Sequence, residues 1–142
     1  MKRRKARESI LQILFMLDDG AFALDKINSI IELYLSQLIS STTMEVLDRP
    51  YLEKILFGIS QELSTLDSLI EKHSDNWKIN RMTKVDRNIL RLAAYELLFL
   101  DKEIPSAVSM DEAIELAKRY GSEDSQSFIN GILDSLYKKQ TK

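Results

Sequence analysis

The run VDRNILRLAAYELLFL, residues 85–100, constrains the fold of this chain more than any other stretch. Val85, Ile89, Leu92, Ala93 and Leu100 recur at helical spacing and make one face; Leu90, Ala94 and Leu97 make another. A helix that is apolar on two sides has to be covered on two sides, so this one is expected at the centre of a bundle. The rest of the chain can supply its neighbours. Of the 142 residues only 4 are glycine and 2 proline, too few for the tight turns that sheets require. Helical periodicity runs through most of the sequence, and the expected fold is all-α with about seven helices.

The first helix is expected from about Arg3 to Leu17, with Ile10, Leu14 and Leu17 on its inner stripe, and Gly20 ends it. A second covers Leu24 to Ser40, burying Ile27, Ile31, Tyr34, Leu35 and Leu38, and the polar run Ser40 to Thr43 closes it. Asp48 is suited to cap a third helix, with Pro50 tolerated in its first turn. Leu52, Ile55, Leu56, Ile59, Leu63, Leu66 and Ile70 carry that helix to about Lys72, with a bend near Gly58 or Ser64 left open. The stretch HSDNWKINRMTK, residues 73–84, is a polar linker in which Trp77 is the one large apolar anchor. The boundary between two small helical-bundle subdomains is placed there, giving residues 1–76 and 77–142. Further on, Ser109 and Glu112 have capping-box spacing and predict a helix start. That helix runs through Tyr120 to Gly121, read as a left-handed C′ residue. The last helix covers about Ser125 to Lys138.

Little in the chain suggests catalysis. It has no cysteine, which excludes disulfides, thiolate metal sites and thiol nucleophiles. The single histidine, His73, has no further metal ligands at useful spacing and reads as a solvated loop side chain. The four glycines stand alone, so no phosphate-cradling loop is present. Acidic pairs such as Asp18-Asp19 and Asp111-Glu112 suit helix ends. The expectation is a non-enzyme without cofactor or metal. Glu96 stands among large apolar neighbours, and a carboxylate there needs a partner, with Arg87, Arg91 and Arg119 as candidates.

Charge is unevenly distributed. Lys2, Arg3, Arg4, Lys5 and Arg7 precede residue 8, and the remaining chain holds 15 basic against 22 acidic residues. This is no targeting signal, because Glu8, Ser9, Gln12, Asp18 and Asp19 interrupt the apolar run behind it and no small-residue cleavage site follows. No stretch approaches the roughly 20 apolar residues of a membrane span, and a soluble, cytoplasmic protein is expected. Cations at the start of a helix oppose its dipole. Their layout, five cations ahead of an anchoring apolar stripe, is that of an arginine-rich RNA-binding segment, although a short basic terminus taken alone equally suits a solvated tail.

Three stretches resemble one family. RRKARESILQILF (3–15) is similar to the opening of the transcription antitermination factor NusB family. VDRNILRLAAYELLF (85–99) resembles its central helix, and IPSAVSMDEAIELAKRYGSEDSQSFINGILDSL (104–136) its C-terminal signature. The resemblance implies two three- or four-helix subdomains. It implies binding to the boxA element of nascent ribosomal RNA leaders, with the small-subunit ribosomal protein NusE, in a complex loaded on RNA polymerase. RNA-facing residues carry over onto Lys2, Arg3, Arg4, Lys5 and Arg7, and onto Asp124, Ser125, Phe128 and Asn130. Single-stranded RNA is read by stacking and base-edge hydrogen bonds, for which Phe128 offers a plane and Asp124 an acceptor, although Asp124 also suits capping the last helix and Phe128 core packing. The chain departs from the family at Ser106, Ala107, Asp111 and Ser127, each removing a cation, donor or plane or adding negative charge. Two rival readings stand beside this one. The first is an RNA-binding domain related to that of an rRNA methyltransferase, disfavoured because the chain ends at Lys142 without a glycine-rich loop. The second is a helical interaction module or homodimer that has lost RNA binding.

Overall fold

The computed structural model describes residues 2–18, 24–37, 48–75 and 77–140, and no strand occurs among them. They form six α-helices: α1 (Lys2–Leu17), α2 (Leu24–Ser36), α3 (Arg49–Lys72), α4 (Lys84–Phe99), α5 (Ser106–Tyr120) and α6 (Ser125–Gln140). A 3-10 turn, Ile79–Arg81, lies between α3 and α4. The all-helical expectation and the approximate helix count hold. The chain divides into two compact units, Met1–Gln61 and Glu62–Lys142. The division falls within α3, and residues 73–84 belong to the second unit.

In the first unit α1 packs against α2. Ile10, Leu14 and Leu17 are buried as the periodicity predicts, and so are Leu11 and Ile13, so α1 is covered on more than one side. From α2, Ile27, Ile31 and Leu35 are buried; Leu38 lies outside the described residues. Tyr34 is only half-buried because its hydroxyl reaches α1, donating to Gln12 Oε1 at 2.9 Å and lying 3.1 Å from Ser9 Oγ. The start of α3 is as expected, with Asp48 Oδ1 accepting from the Tyr51 N–H at 3.2 Å. Arg49 joins α3 to α2 through Glu32 and reaches Glu53 at 3.5 Å. The Glu32 hydrogen bond, with the charges of both carboxylates, holds its guanidinium pKa above the ordinary arginine value.

In the second unit α4, α5 and α6 pack pairwise, and α4 is the central helix, buried almost continuously from Asn88 to Leu97. Thr83 caps it, its Oγ1 accepting from the Asp86 N–H at 3.1 Å. Polar groups in this core are paired. Arg91 grips Asp67 of α3 with Nε and Nη2 at 2.8 and 2.9 Å, and donates from Nη1 to Asn88 Oδ1 at 2.9 Å. Glu96 is 1% exposed and accepts from Ser109 Oγ at 2.7 Å.

That last contact corrects the reading of Ser109 as a cap. Pro105 is the residue before α5, and its carbonyl accepts from the Val108 and Ser109 N–H groups at 2.9 and 3.3 Å. Proline's fixed φ preorganises this start, and the cap lies four residues upstream of the expected one. Ser109 therefore lies inside the helix and faces Glu96, and Asp111 sits in the second turn. Gly121 also differs from expectation, with φ −94° and ψ −176°, an extended conformation open to any residue. Space is what requires glycine here: a Cβ would lie 2.5 Å from Ser125 Oγ and 2.8 Å from the Ala117 carbonyl oxygen. His73 is likewise no solvated side chain, since its Nδ1 lies 2.7 Å from Ser135 Oγ on α6.

Candidate nucleic-acid interface

The N-terminal cations are not equivalent. All five lie in the first turns of α1; the side chains of Lys2 and Arg3 are outside those described. Arg4 and Lys5 are exposed, and Lys5 Nζ stands 3.8 Å from Glu8 Oε1. Arg7 is only 4% exposed, with its guanidinium carbon 5.6 Å from the centre of the Tyr51 ring, within cation–π range. The helical repeat explains the split: positions 4 and 5 point away from the stripe that buries Ile10 and Leu14, and position 7 lies beside it. Arg7 anchors the helix that presents Arg4 and Lys5.

The second group of expected residues is built around a hydrogen-bonded lock between the starts of α4 and α6. Ser125 Oγ donates to Asp86 Oδ1 at 2.6 Å and accepts from the Ser122 N–H at 2.9 Å. Ser125 is 1% exposed and Asp86 8%. The close approach of Gly121 to Ser125 admits no larger residue, so the run GSEDS, residues 121–125, docks α6 onto α4. Its serine is a fastener, placed under the surface.

Asp124 and Phe128, one helical turn apart, face outward from this lock and line a groove of about 470 Å³. Asp124 is exposed and Phe128 half-buried. The rest of the lining comes from Ser74, Asp75, Trp77, Arg81, Met82, Thr83 and Asp86. Asn130 is exposed and does not line it. Of the four expected residues in this unit, the structure brings together Asp124 and Phe128, sets Ser125 behind them and leaves Asn130 apart.

Trp77, Arg81 and Asp75 lie outside the expected set of binding residues. Trp77 was expected to anchor its linker, yet it is 53% exposed. The anchoring falls to its backbone: the Trp77 N–H donates to the Ser74 carbonyl at 3.1 Å, and Ser74 Oγ donates to the Trp77 carbonyl at 3.0 Å. The Ile79 N–H donates to Glu71 Oε2 at 2.8 Å. Asp75 adopts φ 56°, the one positive value at a non-glycine residue among those described. A signal was present, a tryptophan in a polar segment with no apolar neighbour three or four residues away on either side.

Among the described residues there is no group of three or more His, Cys, Asp or Glu side chains that can hold a metal ion. No described helix is long and apolar enough to cross a membrane.

Residues 4–138 match the model of the NusB family. The chain is 44% identical over 136 residues to the transcription antitermination protein NusB of Bacillus subtilis, covering 96% of this chain and 95% of that one. It is 40% identical over 134 residues to the protein of the same name from Sorangium cellulosum, covering 94% and 90%. Among solved structures, NusB from T. maritima superimposes with a TM-score of 0.79 at 40% identity, over 98% of this chain and 92% of that one. A crystal structure of antitermination factors NusB and NusE in complex with dsRNA matches with a TM-score of 0.75 at 27% identity, over 97% of each chain.

Proposed function

This chain belongs to the NusB family, and on that premise we propose that it is a transcription antitermination factor, acting by binding and not by catalysis. It binds the boxA element of nascent ribosomal RNA leaders together with ribosomal protein NusE. The pair helps load an antitermination complex on RNA polymerase in the cytoplasm. The observation that carries this reading is the match, over nearly the full length of both chains, to a NusB that was crystallised with NusE and RNA. The exposed cations of α1 support it locally, because an otherwise acidic chain places them where they oppose the helix dipole.

RNA contact comes from two sets of residues. Lys2, Arg3, Arg4 and Lys5 meet phosphates, with Arg7 holding α1 in place beneath them. Asp124 and Phe128 meet bases, with Ser125 holding α6, and Asn130 contributes from the exposed face of the same helix. Phosphate contact makes affinity salt-dependent, and with about three of these cations on phosphates at once the log–log slope is near −2, at roughly −0.7 each for a single strand.

The test is the affinity of a boxA oligonucleotide for the chain alone and for its mixture with NusE, each at two salt concentrations. Tighter binding with NusE and a slope near −2 are expected. Salt-independent binding, or no gain from NusE, sinks the reading.

A further inference from the structure

We infer that the groove between Trp77 and Phe128 is a pocket for one unpaired RNA base, with Trp77 as its stacking platform and Arg81 as a donor at its rim. This rests on the reading above that the chain binds RNA, and it assigns a role to residues outside the expected set.

The groove's size selects a single nucleotide. About 470 Å³ lies in the range of small-molecule sites, roughly 300–1,000 Å³, and is too small for a helix or a duplex. Its side chains select a base over a phosphate. Three of those lining it are aspartates, Asp75, Asp86 and Asp124, against one arginine, a balance that repels a phosphate. Asp86 is already engaged by Ser125, which leaves Asp75 and Asp124 to accept from an exocyclic amine. Arg81 and the Trp77 indole N–H supply donors for ring nitrogens and carbonyls. The aromatic planes of Trp77 and Phe128 and the thioether of Met82 supply the apolar contact that every base accepts.

Preorganisation separates Trp77 from a side chain that is exposed by chance. Exposing more than half of a tryptophan forfeits burial that its size makes valuable. Its backbone is nevertheless fixed by Ser74 on both its N–H and its carbonyl, next to Asp75 in the left-handed region. Unfavourable backbone conformations that a fold holds in place cluster at binding sites. A cationic peptide side chain is the other occupant that aromatic and acidic groups suit, and Arg81 at the rim opposes it.

Trp77 is the only tryptophan of the chain, so its fluorescence reports on the groove without labelling. The experiment titrates the full chain with single-stranded boxA RNA, with the same RNA annealed into a duplex, and with NusE alone, following emission and affinity in the wild type, Trp77→Ala, Trp77→Phe and Arg81→Ala. Base stacking predicts quenching that saturates with single-stranded RNA. Trp77→Ala then weakens binding about tenfold, the scale of losing one base stack, while Trp77→Phe stays within about threefold. Arg81→Ala weakens binding about threefold, the loss of one exposed donor. Circular dichroism and melting of each variant show that the fold is intact, as expected at an exposed position. Wild-type RNA binding with normal salt dependence but no quenching, and an unchanged Trp77→Ala, overturn this inference alone. Quenching by NusE alone with nothing added by RNA, or equal quenching by the duplex, also overturns it. Absence of RNA binding in every form overturns the proposed function with it.

Discussion

The beginning of α1 and the beginning of α6 present their candidate RNA contacts by opposite means. On α1 the described contacts, Arg4 and Lys5, are charges on one helix placed outside by the helical repeat, while Arg7 faces inward. On α6 the outward residues Asp124 and Phe128 depend on a partner helix. Ser125 is pinned to Asp86 of α4, and the other wall of the groove comes from residues 74–82. A set of contacts on one helix is robust to distant change but grips any polyanion. A set assembled from two distant segments is fragile and can be selective. In each case one residue of the motif faces the solvent while another, a few positions away, holds the helix in place.

The widest test of this contrast lies in the core of the second unit. Arg91→Ala removes the bidentate partner of Asp67 and a donor to Asn88. Stranding a buried partner costs about 3–5 kcal/mol, and the 23% exposure of the Asp67 side chain puts this case near 3. Denaturant melting of wild type and variant measures it. RNA affinity of the folded fraction at low temperature should be nearly unchanged, because Arg91 is buried and does not line the groove. A loss below about 0.5 kcal/mol, the range of ordinary surface changes, shows that water reaches the pair and that the second unit is less dependent on buried polar contacts than described.

Ser125→Ala is the sharper cut. It removes a hydroxyl that donates to one carboxylate in a buried bond and accepts from one N–H in a part-buried one. Leaving such groups unsatisfied costs about 1–3 kcal/mol. Unlike Arg91→Ala, it should also weaken boxA binding, about threefold or more, because Asp124 and Phe128 lose the contact that fixes the start of α6. Stability and affinity falling together is the mark of a fastener. A fall in affinity with no loss of stability points instead to direct contact of Ser125 with RNA, the role that the family resemblance gave it.

The same contrast explains what the sequence discloses. Helix positions follow from a repeat of 3.6 residues and from local signals such as Asp48 and Thr83, which act within one turn. The basic run of α1 is legible because charge needs no partner to be noticed. Ser109 misleads because its spacing to Glu112 fits a capping box equally well whether or not the helix has already begun at Pro105. Its true partner, Glu96, lies on another helix, and only the packing of α5 on α4 brings them within 2.7 Å. Gly121 misleads for a related reason, since its need for glycine comes from the approach of Ser125 and not from its own φ. The groove is the least legible feature, for it exists only where residues 74–86 meet residues 124–128. The resemblance points to Asp124 and Phe128 on one wall, but a tryptophan in a polar linker is the only trace of the other, and its natural reading is an anchor.

The smallest effects on stability belong to α1, and there the comparison is sharpest. Arg4→Ala with Lys5→Ala removes two exposed cations from a helix start, where they oppose the dipole. The 3.8 Å pair of exposed Lys5 with buried Glu8 is an i,i+3 contact stretched to the edge of ion-pair range, worth about 0–1 kcal/mol. These two terms offset each other, so the melting temperature should scarcely move. Binding should change in a characteristic way. Each lost phosphate contact flattens the log–log salt slope by about 0.7, so the double variant should bring it from near −2 to near −0.6. Its affinity should approach that of the wild type as salt rises, since screening removes the advantage the cations gave. Arg7→Ala is the control within the same run, losing stability through its packing on Tyr51 while leaving the slope near the wild-type value. If Arg7→Ala flattens the slope as much as its neighbours do, Arg7 leaves the Tyr51 ring to meet RNA. The inward member of the α1 run is then a contact, and the parallel with Ser125 fails.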